Sequence, residues 1–155
     1  MRNMRRKDRE KPEEFALAVA DKCAFFVLAT ANPDGSPYCV PLSMAREEKW
    51  LYFHSAPIGH KIENLRRQNR VCVTCVGTNR AIPGKFALEY ESAVITGDAS
   101  EITENKEKIR ALALISKRYT PDNMAAFDKA IEKELDMVAV WKIHIDEISG
   151  KAREL

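Results

Sequence analysis

The chain has 155 residues, 45% of them hydrophobic and 31% charged, with a formal net charge of +2. This length suits one domain, over residues 1–155, that buries about 68–70% of its unfolded surface without needing disulfides. The small charge argues against a dedicated nucleic-acid or membrane binder, and no apolar run approaches the roughly 20 residues of a membrane span. Because the N-terminus also lacks the apolar core of a secretory signal, we expect a cytoplasmic protein with reduced cysteines.

The first third of the chain predicts a helix and then an antiparallel meander. A helical pattern of apolar residues covers residues 12–23, and a strand follows over 24–30. Residues 32–35 (NPDG) are a strong turn signal, because proline fixes φ and glycine accepts a positive φ. Two more strands, over 37–45 and 50–54, are joined by a polar turn.

The middle of the chain predicts a helix over 59–68 and a buried strand over 71–76, which is rich in β-branched residues. A loop over 77–85 leads to a long extended stretch over 88–102. Gly97 interrupts this stretch and predicts a bulge or a close backbone approach.

The last third predicts two helices and a final strand. Thr103 can cap a helix that runs to about residue 119, and Pro121 stands at the first position of a second helix that runs to about residue 135. The final strand, over 137–148, alternates apolar and polar residues, so one face carries Trp141, Ile143 and Ile145.

Together these elements predict a mainly β protein, a small antiparallel barrel of about six strands with flanking helices. A βαβ nucleotide-binding fold is disfavoured. No Gly-x-Gly-x-x-Gly motif follows the first strand, and the chain holds no Gly-Lys-Ser/Thr phosphate loop.

Polar residues crowd the point where the strand 50–54 gives way to the helix that starts near Gly59. His54, Ser55, His60 and Lys61 lie within eight positions, and the free backbone N–H groups of the helix start could meet an anion. An ordinary helix start with exposed polar residues explains the same spacing. The alternative is a site for a phosphorylated ligand with a flat apolar body.

Other candidate motifs favour a structural role. Cys72 and Cys75 have the spacing of a redox or zinc half-site, but residues three apart on a strand point to opposite faces. His54 and His60 lack the nearby His-x-x-x-His or Glu-rich set that a metal needs. We therefore expect no metal site.

Five groups of residues, in order along the chain, resemble the flavin-binding split-barrel superfamily of pyridoxamine 5'-phosphate oxidase, and within it the nitroimidazole-resistance protein family. They are 4–9 (MRRKDR), 38–42 (YCVPL), 52–56 (YFHSA) with 59–61 (GHK), 90–94 (YESAV) with Gly97, and 150–151 (GK). The resemblance implies a split β-barrel homodimer that binds FMN at the subunit interface.

The resemblance also implies roles for individual residues. It implies that the FMN phosphate is bound by Ser55, Gly59, His60 and Lys61, although His60 stands where arginine is more usual. His54 matches an active-site histidine of the nitroimidazole-resistance branch and is our candidate catalytic residue. Further residues would contact or enclose the flavin ring: Tyr38, Val40, Pro41, Leu42, Ser43, Phe53, His54, Ser92 and, from the partner subunit, Trp141.

The expected activity is the transfer of electrons from NADH or NADPH through FMN to a small aromatic acceptor. Oxidation of vitamin B6 is not expected, because the C-terminal substrate segment of the oxidase is missing from this sequence. Two alternatives stay open: a non-catalytic protein that binds or senses FMN or haem, and a barrel without a cofactor that binds another anion at the same corner.

Overall fold

The computed structural model describes residues 3–153, and one antiparallel sheet organises them. Within this part of the chain the sheet has eight strands: β1 Glu10–Lys11, β2 Phe26–Ala31, β3 Pro37–Leu42, β4 Ala45–Glu47, β5 Trp50–Ser55, β6 Arg70–Ala81, β7 Leu88–Ile102 and β8 Ala139–Arg153. The strand order is β3-β2-β6-β7-β8-β5-β4, and β1 pairs with β8. The predicted mainly β, split-barrel class is confirmed, with eight strands in place of about six.

In the described part of the chain, four α-helices flank the sheet: α1 Glu13–Lys22, α2 His60–Arg67, α3 Asn105–Tyr119 and α4 Phe127–Glu134. Short 3₁₀ helices cover Lys7–Arg9, Pro121–Ala126 and Leu135–Met137. No helix within residues 3–153 is long and apolar enough to cross a membrane.

Two apolar clusters hold these elements together. The larger one joins α1, through Ala16 and Val19, to the inward side chains of the strands and to Ile62 of α2. The smaller one lies on the other side of β5, where Ala111 and Ile115 of α3 pack against the sheet. The final strand alternates as predicted, with Trp141, Ile143 and Ile145 buried.

Gly97 marks a close approach between β7 and β8, as its position in the sequence predicted. The register of the two strands shifts between Thr96 and Gly97. A Cβ atom at Gly97 would lie 1.7 Å from the carbonyl oxygen of His144, so only glycine allows the strands to pass this closely.

Several predicted boundaries were wrong. The strand over 37–45 is divided into β3 and β4, because the Tyr119 hydroxyl donates to the carbonyl of Met44 (2.9 Å) and accepts from its N–H (3.2 Å). The loop predicted over 77–85 begins later, because β6 continues past a bulge after Val76 and pairs with β7 up to Ala81.

Differences also occur at the later elements. Glu104, rather than Thr103, caps α3, and its carboxylate accepts the N–H groups of Lys106 and Glu107. The segment after Pro121 forms a 3₁₀ helix before α4 begins, and β8 extends to Arg153 because β7 gives it a partner along its whole length.

Candidate functional site

The start of α2 is uncapped and faces open space. Gly59 is the N-cap residue, with φ 124° and ψ 169°, and no side chain accepts a hydrogen bond from the first turn. A Cβ atom at Gly59 would meet nothing within 4 Å, so the space beside this residue is open. The N–H groups of Ile62 and Glu63 donate to the carbonyl of Gly59, which leaves those of His60 and Lys61 without a helical partner. A positive φ of this size favours glycine, and free N–H groups at a helix start attract anions.

Asn64 fixes this helix start relative to the sheet. Its side chain is buried and donates to Oγ1 of Thr30 (3.1 Å) and Oδ1 of Asn32 (2.9 Å). Ile62 and Leu65 of the same helix lie in the core. The uncapped turn is therefore rigidly attached to β2 and to the turn that follows it.

His60 is engaged within the protein. Its Nε2 lies 2.6 Å from Oδ1 of Asn32, an acceptor, so Nε2 carries the proton and Nδ1 stays free. Its ring packs on that of Tyr38, with 4.0 Å between the ring centroids. The structure thus brings β3 and the start of α2 together at one corner.

Lys61 is the cation of this corner that has no partner. Among residues 3–153 it makes no ion pair and no side-chain hydrogen bond. It lies close enough to His54 to act on it. Partial desolvation beside α3 and α4 lowers the pKa of His54, although the side chain keeps an exposed face, and the charge of Lys61 lowers this pKa further. His54 is therefore neutral at pH 7, while a free ammonium group stands beside the uncapped helix.

β3 offers a second kind of binding surface. It is an edge strand, paired on one side with β2, so half of its backbone polar groups have no strand partner. Val40 and Leu42 pack against the core, whereas Pro41 and Ser43 are exposed. The free edge of β3 can hydrogen-bond a planar heterocycle.

The side chains of the predicted site residues on β5 point to opposite sides of the sheet. Phe53 and Ser55 are buried on one side, and Phe53 stacks on Trp141 of β8, with 6.5 Å between centroids and 12° between planes. His54 points to the other side, towards α3 and α4. In the described part of the chain, Oγ of Ser55 and Nε1 of Trp141 are buried without a hydrogen-bond partner.

Ser92 lies apart from this corner within one protomer. It stands on β7, opposite Val76 and Lys151, and two strands, β2 and β6, lie between β7 and β3 in the sheet order. Its hydroxyl is 3.5 Å from the carbonyl oxygen of Lys151.

The sequence reasoning missed the residues that hold the corner together, Thr30, Asn32 and Asn64. A polar residue within a helix pattern is normally read as solvent-facing, so Asn64 gave no signal. Asn32 opened a recognised turn motif, which hid its second role as the acceptor for His60.

The cysteine prediction is confirmed in its geometry. Cys75 is buried, whereas Cys72 is half-buried on the opposite face of β6. Interaction with the Cys75 thiol is the main reason why the pKa of Cys23, which follows α1, is lowered. The Cys23 thiol itself donates to the carbonyl oxygen of Ala20 (3.3 Å).

The strand order and the uncapped helix beside an edge strand define an antiparallel split barrel with an open corner. A sequence model of the pyridoxamine 5'-phosphate oxidase family matches residues 13–152. The chain therefore belongs to this family. No curated protein matches the chain.

Solved structures give the same assignment. A proposed 5-nitroimidazole antibiotic resistance protein from Bacteroides thetaiotaomicron is 30% identical, with a TM-score of 0.77 over 93% of this chain and 89% of that chain. The flavocytochrome Anf3 from Azotobacter vinelandii has a TM-score of 0.83 at 21% identity, over 99% of this chain and 73% of that chain. The FAD and heme binding protein from Mycobacterium smegmatis has a TM-score of 0.81 at 19% identity, over 95% and 74% of the two chains. The last two similarities concern the fold alone.

Proposed function

We propose that the protein is an FMN-dependent oxidoreductase of the nitroimidazole reductase type, which passes electrons from NADH or NADPH to a small aromatic acceptor. The observation that carries this proposal is the corner at the start of α2, where an uncapped helix and the unpaired Lys61 face open space. The 30% identity to a proposed 5-nitroimidazole antibiotic resistance protein supports the choice of reaction.

The residues at the corner fit the phosphate of FMN. The ammonium group of Lys61 and the backbone N–H groups of His60 and Lys61 have no partner among residues 3–153. Charge-assisted hydrogen bonds from such donors to a phosphate are the strong ones. The hydroxyl of Ser55 is also unpaired. His60 fixes the helix start through Asn32 and Tyr38, but its unprotonated Nδ1 is an acceptor and does not donate to a phosphate.

The free edge of β3 fits the ring of the flavin. Backbone groups from Val40 to Ser43 would hydrogen-bond the polar edge of the ring, and the half-buried Tyr38 stands at the end nearest α2. FMN, when bound, supplies the redox chemistry. The neutral imidazole of His54 can orient the acceptor or donate a proton near neutral pH.

The homodimer is part of the proposal. The outer face of the sheet near β2 and β6 leaves Phe25 and Val76 exposed by 55% and 51%, and these two residues line a shallow pocket with Val27. Apolar surface of this kind is typical of a protein interface. A second copy on this face would bring Ser92, which lies opposite Val76, towards the corner of its partner.

A non-catalytic FMN or haem binder is the second candidate. His54 favours it, because its imidazole has no hydrogen-bond partner among the described residues and could ligate iron. Two similar folds carry names that include a cytochrome or heme.

Anaerobic spectroscopy separates the two candidates. We expect the purified protein to take up FMN, NADH or NADPH to bleach the flavin absorbance, and a nitroaromatic compound to restore it. His54→Ala should keep FMN binding. It should slow the reoxidation of the flavin by the nitroaromatic compound by about 100-fold or more, the usual contribution of a positioned acid or base. If FMN binds but NADH and NADPH do not bleach it, the protein is a non-catalytic binder. If His54→Ala turns over as fast as the wild type, His54 has no catalytic role.

A further inference from the structure

A side chain from a distant helix holds the link between β3 and β4. This link consists of Ser43 and Met44, because β3 ends at Leu42 and β4 begins at Ala45. The Tyr119 hydroxyl accepts a hydrogen bond from the N–H of Met44 (3.2 Å) and donates one to its carbonyl oxygen (2.9 Å). One phenol oxygen thus serves both backbone groups of a residue that has no strand partner.

The Tyr119 hydroxyl is firmly held in this position. Met44 is fully buried, so water cannot replace the phenol at its backbone groups. Burial raises the pKa of Tyr119 above the ordinary value of 10, and the hydroxyl keeps the proton that it donates. The neighbouring residue on α3, Arg118, lies over the Tyr119 ring at 5.2 Å from its centroid and is itself bound to the carbonyl groups of Ala20 and Cys23.

The contact with Tyr119 also fixes the direction of the Ser43 carbonyl group. The peptide unit between Ser43 and Met44 is trans and planar, so its C=O and N–H groups point in opposite directions. Because the N–H of Met44 points to Tyr119, the carbonyl of Ser43 points away from it. Ser43 is exposed, and its carbonyl accepts no hydrogen bond within residues 3–153. It is an oriented acceptor directly after the free edge of β3.

Such an acceptor complements the polar edge of a flavin ring. This edge carries one N–H donor between two carbonyl acceptors. Backbone N–H groups on the free edge of β3 can serve the two carbonyl groups, whereas the ring N–H needs an acceptor. The Ser43 carbonyl meets this need, and its direction depends on the peptide unit that Tyr119 holds.

We propose that Tyr119 is a positioning residue of the flavin site, which through Met44 orients the carbonyl of Ser43 to accept the ring N–H of the flavin. This role rests on the proposed flavin site and adds a residue that does not itself touch the cofactor. Tyr119 acts on the ring, whereas Lys61 acts on the phosphate at the other end of the site. Loss of the Tyr119 hydroxyl should therefore affect FMN and riboflavin equally.

Riboflavin and 3-methylriboflavin, in which a methyl group replaces the hydrogen of the ring N–H, test this role. Fluorescence titration of the full-length protein should show that the wild type prefers riboflavin about 10-fold. Tyr119→Phe removes only the hydroxyl and should reduce this preference about 3- to 10-fold, whereas a general loss of structure would weaken both ligands alike. The control is Tyr52→Phe, which loses a hydroxyl bonded to Arg110 (3.1 Å) and should keep the wild-type preference.

Hydrogen exchange of the Met44 amide, measured by NMR, follows the anchor directly. Without flavin, exchange should be about 3- to 10-fold faster in Tyr119→Phe than in the wild type and unchanged in Tyr52→Phe. Riboflavin should slow this exchange in the wild type, because the ring N–H restrains the same peptide unit. This last measurement needs no variant.

The outcomes separate this role from the flavin site itself. If the wild type binds riboflavin but does not prefer it to 3-methylriboflavin, or if riboflavin leaves the Met44 amide unaffected, the hydrogen bond to Ser43 is refuted and the flavin site stands. An unchanged preference in Tyr119→Phe refutes the role of Tyr119 alone. If the wild type binds neither riboflavin nor FMN, the flavin site and the role of Tyr119 are both wrong.

Discussion

His54 combines two properties that its neighbours on β5 lack. Phe53 and Ser55 are buried in the barrel, whereas His54 points towards α3 and α4 and lies near Lys61. Burial is the larger cause of its lowered pKa and the charge of Lys61 the smaller one. The residue is thus a neutral imidazole on the side of β5 that faces α3 and α4, close to Lys61.

The pKa of His54 can be measured directly. We expect an NMR titration of its ring to give a pKa below the ordinary value of 6.5, and Lys61→Ala to raise this pKa without restoring 6.5, because burial remains. The unfolded state then binds more protons than the folded one, so the free energy of unfolding falls as the pH drops below about 6.5. His54→Gln should flatten this part of the stability profile. A pKa at or above 6.5 would contradict the environment described for His54.

The sequence pattern predicted part of the candidate site at the start of α2. The strand ending near Ser55, the glycine at the helix start and the basic residue after it were all visible in the sequence. The contacts of Asn32 and Asn64 were not, because they join segments about 30 positions apart and depend on how α2 lies on the sheet. Periodicity reports which face of an element is apolar, but it does not report which polar groups meet across the fold.

At the scale of elements, α3 fixes the end of α1. Arg118 of α3 donates to the carbonyl oxygens of Ala20 (3.0 Å) and Cys23 (2.7 Å), which α1 leaves unpaired at its C-terminus. Its guanidinium group also lies over the ring of Phe26, 5.2 Å from the centroid. One side chain thus links a late helix to the first helix and the first long strand.

Removal of the guanidinium group of Arg118 should lower the free energy of unfolding. Arg118→Met keeps most of the side-chain volume and should lower the free energy of unfolding by about 1.5–3 kcal/mol, the range for hydrogen bonds to a charged group. The control is Arg66→Met, which breaks an exposed ion pair with Glu101 and should cost about 1 kcal/mol or less. Denaturant unfolding measures both. Arg118→Met should also raise the pKa of Cys23, because the charge of Arg118 helps to lower it. Equal stability losses in the two variants would contradict this assignment.

The boundaries of elements were harder to predict than their existence. Alternation identified the long strands correctly, and β7 covers the predicted residues 88–102. The division between β3 and β4 depends on the hydroxyl of Tyr119, which is 75 positions away from Met44. β8 extends to Arg153 because β7 pairs with it up to that residue. Both are consequences of tertiary contacts that a local pattern does not contain.

At the scale of the whole molecule, the sheet is covered unevenly. α1 and α2 contribute to the larger apolar cluster, and α3 packs on the far side of β5. Near β2 and β6 the outer face stays open and carries Phe25 and Val76. The proposed second copy would cover this face.

The oligomeric state tests this proposal. Val76→Asp places a charge in the proposed interface and should convert a dimer into a monomer in sedimentation or light-scattering measurements, because an unpaired buried charge is expensive. Met137→Asp, at an exposed apolar residue after α4, is the control and should leave the dimer intact. If the wild-type protein is a monomer, or Val76→Asp stays dimeric, the interface lies elsewhere or does not form.

The most direct test of the flavin corner compares FMN with riboflavin, which differs by the phosphate alone. The dissociation constants of both are measured by fluorescence titration for the wild-type protein, for Lys61→Ala, and for Lys117→Ala as a control at an exposed lysine of α3. We predict that the wild type and Lys117→Ala prefer FMN, and that Lys61→Ala weakens FMN binding by about 10- to 100-fold, equivalent to about 1.5–3 kcal/mol, while riboflavin binding hardly changes. Equal affinity of the wild type for FMN and riboflavin, or an unchanged preference in Lys61→Ala, would contradict a phosphate site at the start of α2.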